Sequence, residues 1–336
     1  MRILFISPNP IWGGAATANI TFAKMLGDNG HQVFYCDEYC HADIYNGITI
    51  LHYPFHGNRF KSREMFYDGI RDINPEIIVW LPMTAIYYYR EIKQLRKKGI
   101  KQFVIMHSLS LNQNLKGRTM DFLVSQMLTQ IDTIIFVSKF TLESWMKFPM
   151  LRKSNAKKVV IHNISPNNNV ESHLLRKPIR IGFVGRFSIE KQPEIFCRLS
   201  EFSDYEYHAW GDGPLLSLMK SKYPKVIFHG METDINSIYC NIDVLLLTSK
   251  FENCPMVVLE AKSFGIPCVA PNVGGIPEIV VNNYDGLLYD DYNTFMILNA
   301  ITEVLKNYKG YSSHCISNSK NYEPHFIYEK WKGIIN

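Results

Sequence analysis

The chain has 336 residues, too long for one ordinary domain and enough for two of about 150 each. Apolar residues make up 46% and charged residues 20%, a globular balance that excludes disorder for most of the chain; the 20 glycines and 16 prolines follow no period, which excludes collagen-like and repeat architectures. The net charge of +5 is uneven: residues 1–164 hold 20 Lys and Arg against 12 Asp and Glu, whereas residues 165–336 hold 16 against 19. A basic front half points to an anionic partner on that side, whether phosphate, lipid surface or nucleic acid, with a plainly solvated surface as the alternative.

Seven cysteines, an odd number with no C-x-x-C pair, do not make a disulfide framework and fit a reducing compartment. The most apolar stretch, Ile77 to Tyr89, is 13 residues long and holds Pro82; a bilayer-spanning helix needs about 20. The start of the chain, Met1 to Ile6, runs directly into Ser7-Pro8-Asn9-Pro10 and is too short an apolar run for a signal peptide. A cytoplasmic protein is expected.

In chain order, β-branched and aromatic runs predict strands at Arg2–Ile6, Gln32–Cys36, Ile48–Leu51, Ile77–Leu81, Gln102–Met106, Thr133–Val137 and Lys158–His162. A second series follows at Ile179–Gly185, Tyr205–Trp210, Lys225–His229, Ile242–Leu247, Ile266–Ala270 and Gly286–Tyr289. Helix-length segments separate most of them. Runs such as Ile77-Ile78-Val79-Trp80 and Val244-Leu245-Leu246-Leu247 are apolar on both faces, as strands of a parallel sheet covered by helices must be. The pattern predicts an α/β protein of two α/β domains facing each other across a cleft. The expected boundaries are residues 1–164 for a first domain, 165–178 for a linker and 179–321 for a second domain. A short amphipathic helix at about 322–336 is expected to pack back on the first.

Ligands of open α/β sheets bind beyond the carboxyl ends of the strands, so the loops there hold the candidates. After the first strand, Gly13-Gly14 before a helical segment allows close backbone approach to an anion. Asp37-Glu38 follows the second strand, but the spacing is not G-x-G-x-x-G, which argues against a dinucleotide-dependent dehydrogenase. His107 ends the fifth strand. His52 and His56, His41 with Asp43, and Cys36 with Cys40 do not combine into a ligand set, so no metal site is expected. In the second half, Arg186 and Lys191 lie on the loop before Pro193, which suits the first position of a helix; two such cations can neutralise a diphosphate. Gly211-Asp212-Gly213-Pro214 and Phe228-His229-Gly230 are further loop signals. The most informative stretch runs from Phe251 to Ala261. Asn253 or Cys254 is expected to cap a helix that begins at Pro255, with the N–H groups of Met256, Val257 and Val258 offering a phosphate site. Glu260 then lies in position to accept from the two hydroxyls of a ribose, and Glu252 precedes the helix.

Taken together, Glu252-x7-Glu260, Gly185-Arg186 with Glu190-Lys191 upstream, and Gly265-x-Pro267 with Gly274-Gly275-Ile276-Pro277-Glu278 downstream resemble the retaining glycosyltransferases of family 4, of the GT-B fold. Gly13-Gly14, Gly30-His31-x-Val33, Gly211-Asp212-Gly213-Pro214 and Asp285-Gly286-Leu287-Leu288 fit the same pattern, from Arg2 to about Tyr289. The resemblance implies two Rossmann-like domains, the first on the acceptor side, and a nucleotide-sugar donor, UDP- or GDP-linked, held mainly by the second domain, with no cofactor and no required metal. It implies Arg186 and Lys191 at the diphosphate, Glu260 at the ribose, Glu252 at the donor sugar, the backbone of Cys254, Pro255, Met256 and Val257 along sugar and phosphates, and His107 toward the transferred sugar. Gly13, Gly14 and His229 join the donor-binding set; His107, Arg186, Lys191 and Glu252 are the catalytic candidates. One departure is visible: Asn253-Cys254-Pro255 replaces the more usual glycine- or phenylalanine-containing run, a difference that falls at the donor sugar.

The implied acceptor is a saccharide, lipid-linked, in bacterial surface polysaccharide synthesis. Tyr87 to Lys98 carries five cations beside three tyrosines, with Lys61, Arg63, Lys116 and Arg118 elsewhere in the basic half, and suits a peripheral surface on anionic lipid. Nothing resembles a nucleic-acid module. Two other readings share the architecture: a catalytically silent GT-B binding subunit, which donor turnover excludes, and a nucleotide-sugar 2-epimerase, which product analysis without acceptor separates.

Overall fold

The computed structural model describes residues 1–6, 13–37, 48–52, 59–110, 115–168, 170 and 173–336. Pro8 to Trp12, Glu38, Cys40, His41, Asp43 and His56 lie outside these. The chain forms two compact units, residues 1–162 with 328–336, and residues 163–327.

The first unit runs β1 (Arg2–Ile6), α1 (Gly14–Asp28), β2 (Gln32–Asp37), β3 (Thr49–His52), α2 (Arg59–Ile73), β4 (Ile77–Trp80), α3 (Pro82–Tyr87), α4 (Tyr89–Lys97), β5 (Lys101–Met106), α5 (Leu115–Leu128), β6 (Thr133–Phe136), α6 (Lys139–Trp145), α7 (Pro149–Lys153) and β7 (Lys157–Val160). Its seven strands lie in the order β3-β2-β1-β4-β5-β6-β7, all paired parallel. The strands are apolar because both faces are covered: Ile77, Ile78, Val79 and Trp80 are all buried. The helical stretch from Pro82 to Lys97 breaks at Tyr88. That ring is buried against Phe66 and Trp80, at centroid distances of 4.9 and 5.7 Å, and its backbone leaves helical geometry (φ −107°, ψ 23°).

The second unit runs β8 (Arg180–Val184), α8 (Pro193–Leu199), β9 (Glu206–Trp210), α9 (Leu216–Lys222), β10 (Val226–Gly230), α10 (Ile235–Tyr239), β11 (Val244–Leu246), α11 (Met256–Ser263), β12 (Cys268–Pro271), α12 (Ile276–Ile279), β13 (Gly286–Tyr289), α13 (Thr294–Lys306) and α14 (Tyr308–Ser319). Six parallel strands lie in the order β10-β9-β8-β11-β12-β13. Both sheets are Rossmann-like, and each strand stands within two residues of its expected ends. Residues 163–178 group with this unit: Ser165 Oγ donates to Leu259 O (3.0 Å) and Asn163 Nδ2 to Cys254 O (2.7 Å). The last helix, α15 (Pro324–Ile335), counts with the first unit from Tyr328 onward. There Trp331 is fully buried against Phe22 and Phe103, and Lys101 and Lys157 donate to the carbonyls of Ile335 and Gly333. Among the described residues, no helix is long and apolar enough to cross a membrane.

Candidate active site

In the second sheet the strand order reverses between β8 and β11, so the loops after these two strands leave the sheet side by side. The β8 loop carries Arg186 and Lys191. It is built on backbone contact with the loop after β9. Gly185 N donates to Trp210 O, Phe187 N to Asp212 O and Leu215 N to Phe187 O, at 2.9 to 3.0 Å. A Cβ at Gly211 would stand 2.0 Å from Gly185 O, and one at Gly213 would stand 2.6 Å from Phe187 O. Both glycines also have positive φ, so only glycine lets the two loops meet. Phe187 is buried as the anchor, and Arg186 is left exposed.

The β11 loop closes on the same place. Thr248 Oγ1 donates to Lys191 O (2.8 Å) and Lys250 N to Glu190 O (2.8 Å). Glu252 Oε1 accepts from Lys191 Nζ and from Ser249 Oγ (2.8 Å). The ion pair is mostly shielded, with side-chain exposures of 28% for Lys191 and 11% for Glu252, so water screens it less than a surface pair. Gly274 and Gly275 support Glu252 from behind: Gly275 N donates to Glu252 O (2.9 Å), and a Cβ at Gly274 (φ +61°) would stand 2.0 Å from that oxygen.

The helix after Glu252 differs from expectation at its start. Pro255 occupies the cap position in extended geometry (φ −66°, ψ 121°), and Met256 is the first helical residue. Neither Asn253 nor Cys254 takes the cap position, which Pro255 holds at the φ its ring fixes. Val258 N donates back to Pro255 O (3.2 Å), which leaves Met256 and Val257 as the first-turn donors. Cys254 is buried, its thiol pushed up to about 12 by burial, and its carbonyl is taken by Asn163. Glu260, one turn into α11, is half-buried and accepts from Tyr239 Oη (2.7 Å). Burial raises its pKa, opposed by that hydrogen bond.

His229 belongs to a different cluster, on the edge strand β10. It stacks on Trp210 (centroids 4.3 Å, 10°) and its Nε2 meets His208 Nδ1 at 3.0 Å; His208 Nε2 meets Glu206 at 3.3 Å. Burial, then the neighbouring His208, lowers its pKa.

In the first unit, Gly13 caps α1 in extended geometry, and its carbonyl accepts from Ala16 N and Thr17 N (2.9 and 3.1 Å); Gly14 is the first helical residue. His107 follows β5, and its Nε2 meets Asn19 Oδ1 of α1 at 2.9 Å. Burial lowers the imidazole pKa to about 4, so the ring is neutral at pH 7. Asn19, Ser249, Tyr239 and the Gly274-Gly275 support are parts of these arrangements that spacing alone does not single out as partners. Among the described residues, no group of three or more His, Cys, Asp and Glu has metal-holding geometry.

Residues 12–164 match the family described as Glycosyltransferase Family 4, and residues 166–322 match Glycosyl transferases group 1. The chain belongs to glycosyltransferase family 4. As a GT-B glycosyltransferase it shares its fold with solved structures at low sequence identity. The Anabaena HepE complex with UDP-glucose aligns at a TM-score of 0.83 with 15% identity, covering 100% of this chain and 99% of that one. The N-acetyl-alpha-D-glucosaminyl L-malate synthase of Bacillus anthracis is 21% identical over 336 residues, 89% of this chain and 86% of that protein. The UDP-Gal:alpha-D-GlcNAc-diphosphoundecaprenol alpha-1,3-galactosyltransferase of Escherichia coli is 29% identical over 145 residues, 39% of this chain and 38% of that protein. With several curated relatives, this glycosyltransferase shares a third to two fifths of their length.

Proposed function

We propose that this glycosyltransferase transfers a sugar with retention, and without a metal or other cofactor, from a nucleotide-sugar donor to a lipid-linked saccharide in bacterial surface polysaccharide synthesis. The observation that carries the reading is the joining of Lys191, Glu252 and Ser249 where the β8 and β11 loops meet, with Arg186 on the first loop and the α11 amino terminus following the second. In this reading the diphosphate draws Lys191 from Glu252, and the sugar hydroxyls replace the lost partner. Arg186, Lys191 and the Met256 and Val257 N–H groups then supply positive charge that other enzymes take from a metal ion. The acceptor oxygen bonds to the anomeric carbon on the face from which the phosphate departs, the carbon–oxygen bond to phosphate breaks, and the phosphate takes the acceptor proton. His107, neutral and held by Asn19, serves as a hydrogen-bonding group toward the transferred sugar.

A UDP-sugar donor is supported by the HepE complexes with UDP and UDP-glucose, and a lipid-linked acceptor by the E. coli relative whose name carries diphosphoundecaprenol. A cytoplasmic place, peripheral to the membrane, is supported by the absence of disulfides among the six described cysteines and by α4 with its cap Lys98, which expose Arg90, Lys93, Lys97 and Lys98 beside Tyr87 and Tyr89. One residue of the basic segment drops out of that surface, the buried Tyr88, whereas Arg96 stays exposed but is paired with Asp132 at 2.7 Å.

The test is a panel of UDP- and GDP-sugars with EDTA present, followed by nuclear magnetic resonance of the anomeric proton in the product. Turnover of one donor with its anomeric configuration kept is expected. Arg186→Ala and Lys191→Ala should each lower kcat/KM by about 100-fold or more, because their contacts strengthen as charge builds on the leaving group. No turnover with any donor would point to a silent binding subunit, and a new sugar epimer without acceptor to an epimerase.

A further inference from the structure

We infer that Tyr239 is the positioning residue that presents Glu260 to the donor ribose; the inference rests on the proposed reading of Glu260 as the ribose acid. Tyr239 ends α10, is fully buried, and lies with its ring against Phe264 (centroids 5.4 Å, 30°). Its hydroxyl has one proton to give and two acceptors in reach: Glu260 Oε2 at 2.7 Å and Val257 O at 3.2 Å. The carboxylate is the stronger and nearer acceptor, so the proton goes to Glu260. The phenol, backed by Phe264, therefore sets the plane of the carboxylate from inside the protein. Burial also pushes the Tyr239 pKa well up, with Glu260 adding to the effect, so the phenol keeps its proton.

A ribose offers two neighbouring hydroxyls, and a carboxylate accepts both only if it is ionised and correctly turned. Burial favours the protonated acid at Glu260; the Tyr239 hydrogen bond is what opposes it. A freely turning or protonated Glu260 would lose an acceptor and would no longer separate ribose from its deoxy forms. Tyr239 touches neither nucleotide nor sugar in this reading; it acts through Glu260 alone.

The experiment is calorimetry with UDP and GDP, then with the 2′-deoxy and 3′-deoxy forms of whichever binds more tightly. Wild type should prefer the ribose form over at least one deoxy form by about 10-fold, and Glu260→Gln should abolish most of that preference. Tyr239→Phe should cut the preference at least about threefold while affinity for the deoxy form stays within about twofold. Equal weakening of both forms would mean that Tyr239 only supports the fold, and would overturn the inference. Loss of the preference in Glu260→Gln with a wild-type ratio in Tyr239→Phe would also overturn it. A full preference kept by Glu260→Gln would instead remove the ribose reading. Should Tyr239→Phe not fold, Phe264→Leu frees the Tyr239 ring with both hydrogen-bonding groups kept, and an unchanged ratio there overturns the inference as well.

Discussion

His107 stands at the carboxyl end of β5, held by Asn19 Oδ1, with its pKa lowered by burial from 6.5 to about 4. The unfolded chain takes up this proton near pH 6.5 and the folded chain only near pH 4, so the unfolded state binds more protons between those values. The stability due to neutral His107 is whole above pH 6.5 and is lost as pH falls toward 4, by at most about 3 kcal/mol. A His107→Gln variant should lose less stability than wild type between pH 7 and pH 4.5 in urea denaturation. Equal losses in the two proteins would contradict the buried, neutral ring. Sequence could name this histidine from its place after a strand; it could not name Asn19, 88 positions away. The same holds for Glu260 and Tyr239. The acid has a family spacing, whereas a tyrosine 21 residues upstream becomes its partner only because α10 packs on α11.

The elements follow the local rules closely where the rules are strong. Two-sided apolar runs became strands because a parallel sheet buries both faces. Proline and glycine decided less regular points, and Gly274 shows how. Its positive φ and its closeness to Glu252 O leave no room for a side chain. Gly274→Ala should therefore displace the Glu252 loop, lower the melting temperature by several degrees and reduce kcat/KM about 10-fold or more. Gly30→Ala is the control. Gly30 also has positive φ (+85°), but a Cβ there meets nothing within 4 Å, so it should cost only about 1 kcal/mol of stability and leave turnover intact. Similar activity losses in the two variants would argue against a specific role for the Gly274 contact. Between α3 and α4, Tyr88 leaves helical geometry with its ring packed against Phe66 and Trp80.

For the whole molecule, the charge imbalance becomes concrete at α4 and its cap, where Arg90, Lys93, Lys97 and Lys98 are exposed beside Tyr87. Each cation close to an anionic bilayer contributes about 1 kcal/mol, and salt screens the attraction. The protein should float with anionic liposomes at low salt, less at high salt and not with neutral ones. An Arg90/Lys93/Lys97/Lys98→Ala variant should stay at the bottom of the gradient. If wild type and variant float equally, or neither floats, a soluble acceptor becomes the better reading. Lys61, Arg63 and Lys116 belong to the basic half, but their side chains lie outside those described.

The sequence by itself determined the α/β class, the strands seen among the described residues and the family, because two-sided hydrophobic runs and a chain of loop residues at set spacing are local properties. It also singled out Arg186, Lys191, Glu252 and Glu260 as candidates. Tertiary structure alone decided their partners. Lys191 and Glu252 are 61 residues apart and meet because the strand order reverses between β8 and β11. Lys262 and Asp285, fully buried and paired at 2.8 Å, show the same thing: the aspartate of the Asp285-Gly286 turn neutralises a lysine of α11, which also donates to Ile279 O. A buried charge is tolerable only with such a partner. That partner is chosen by which elements pack together, and no local pattern along the chain encodes it.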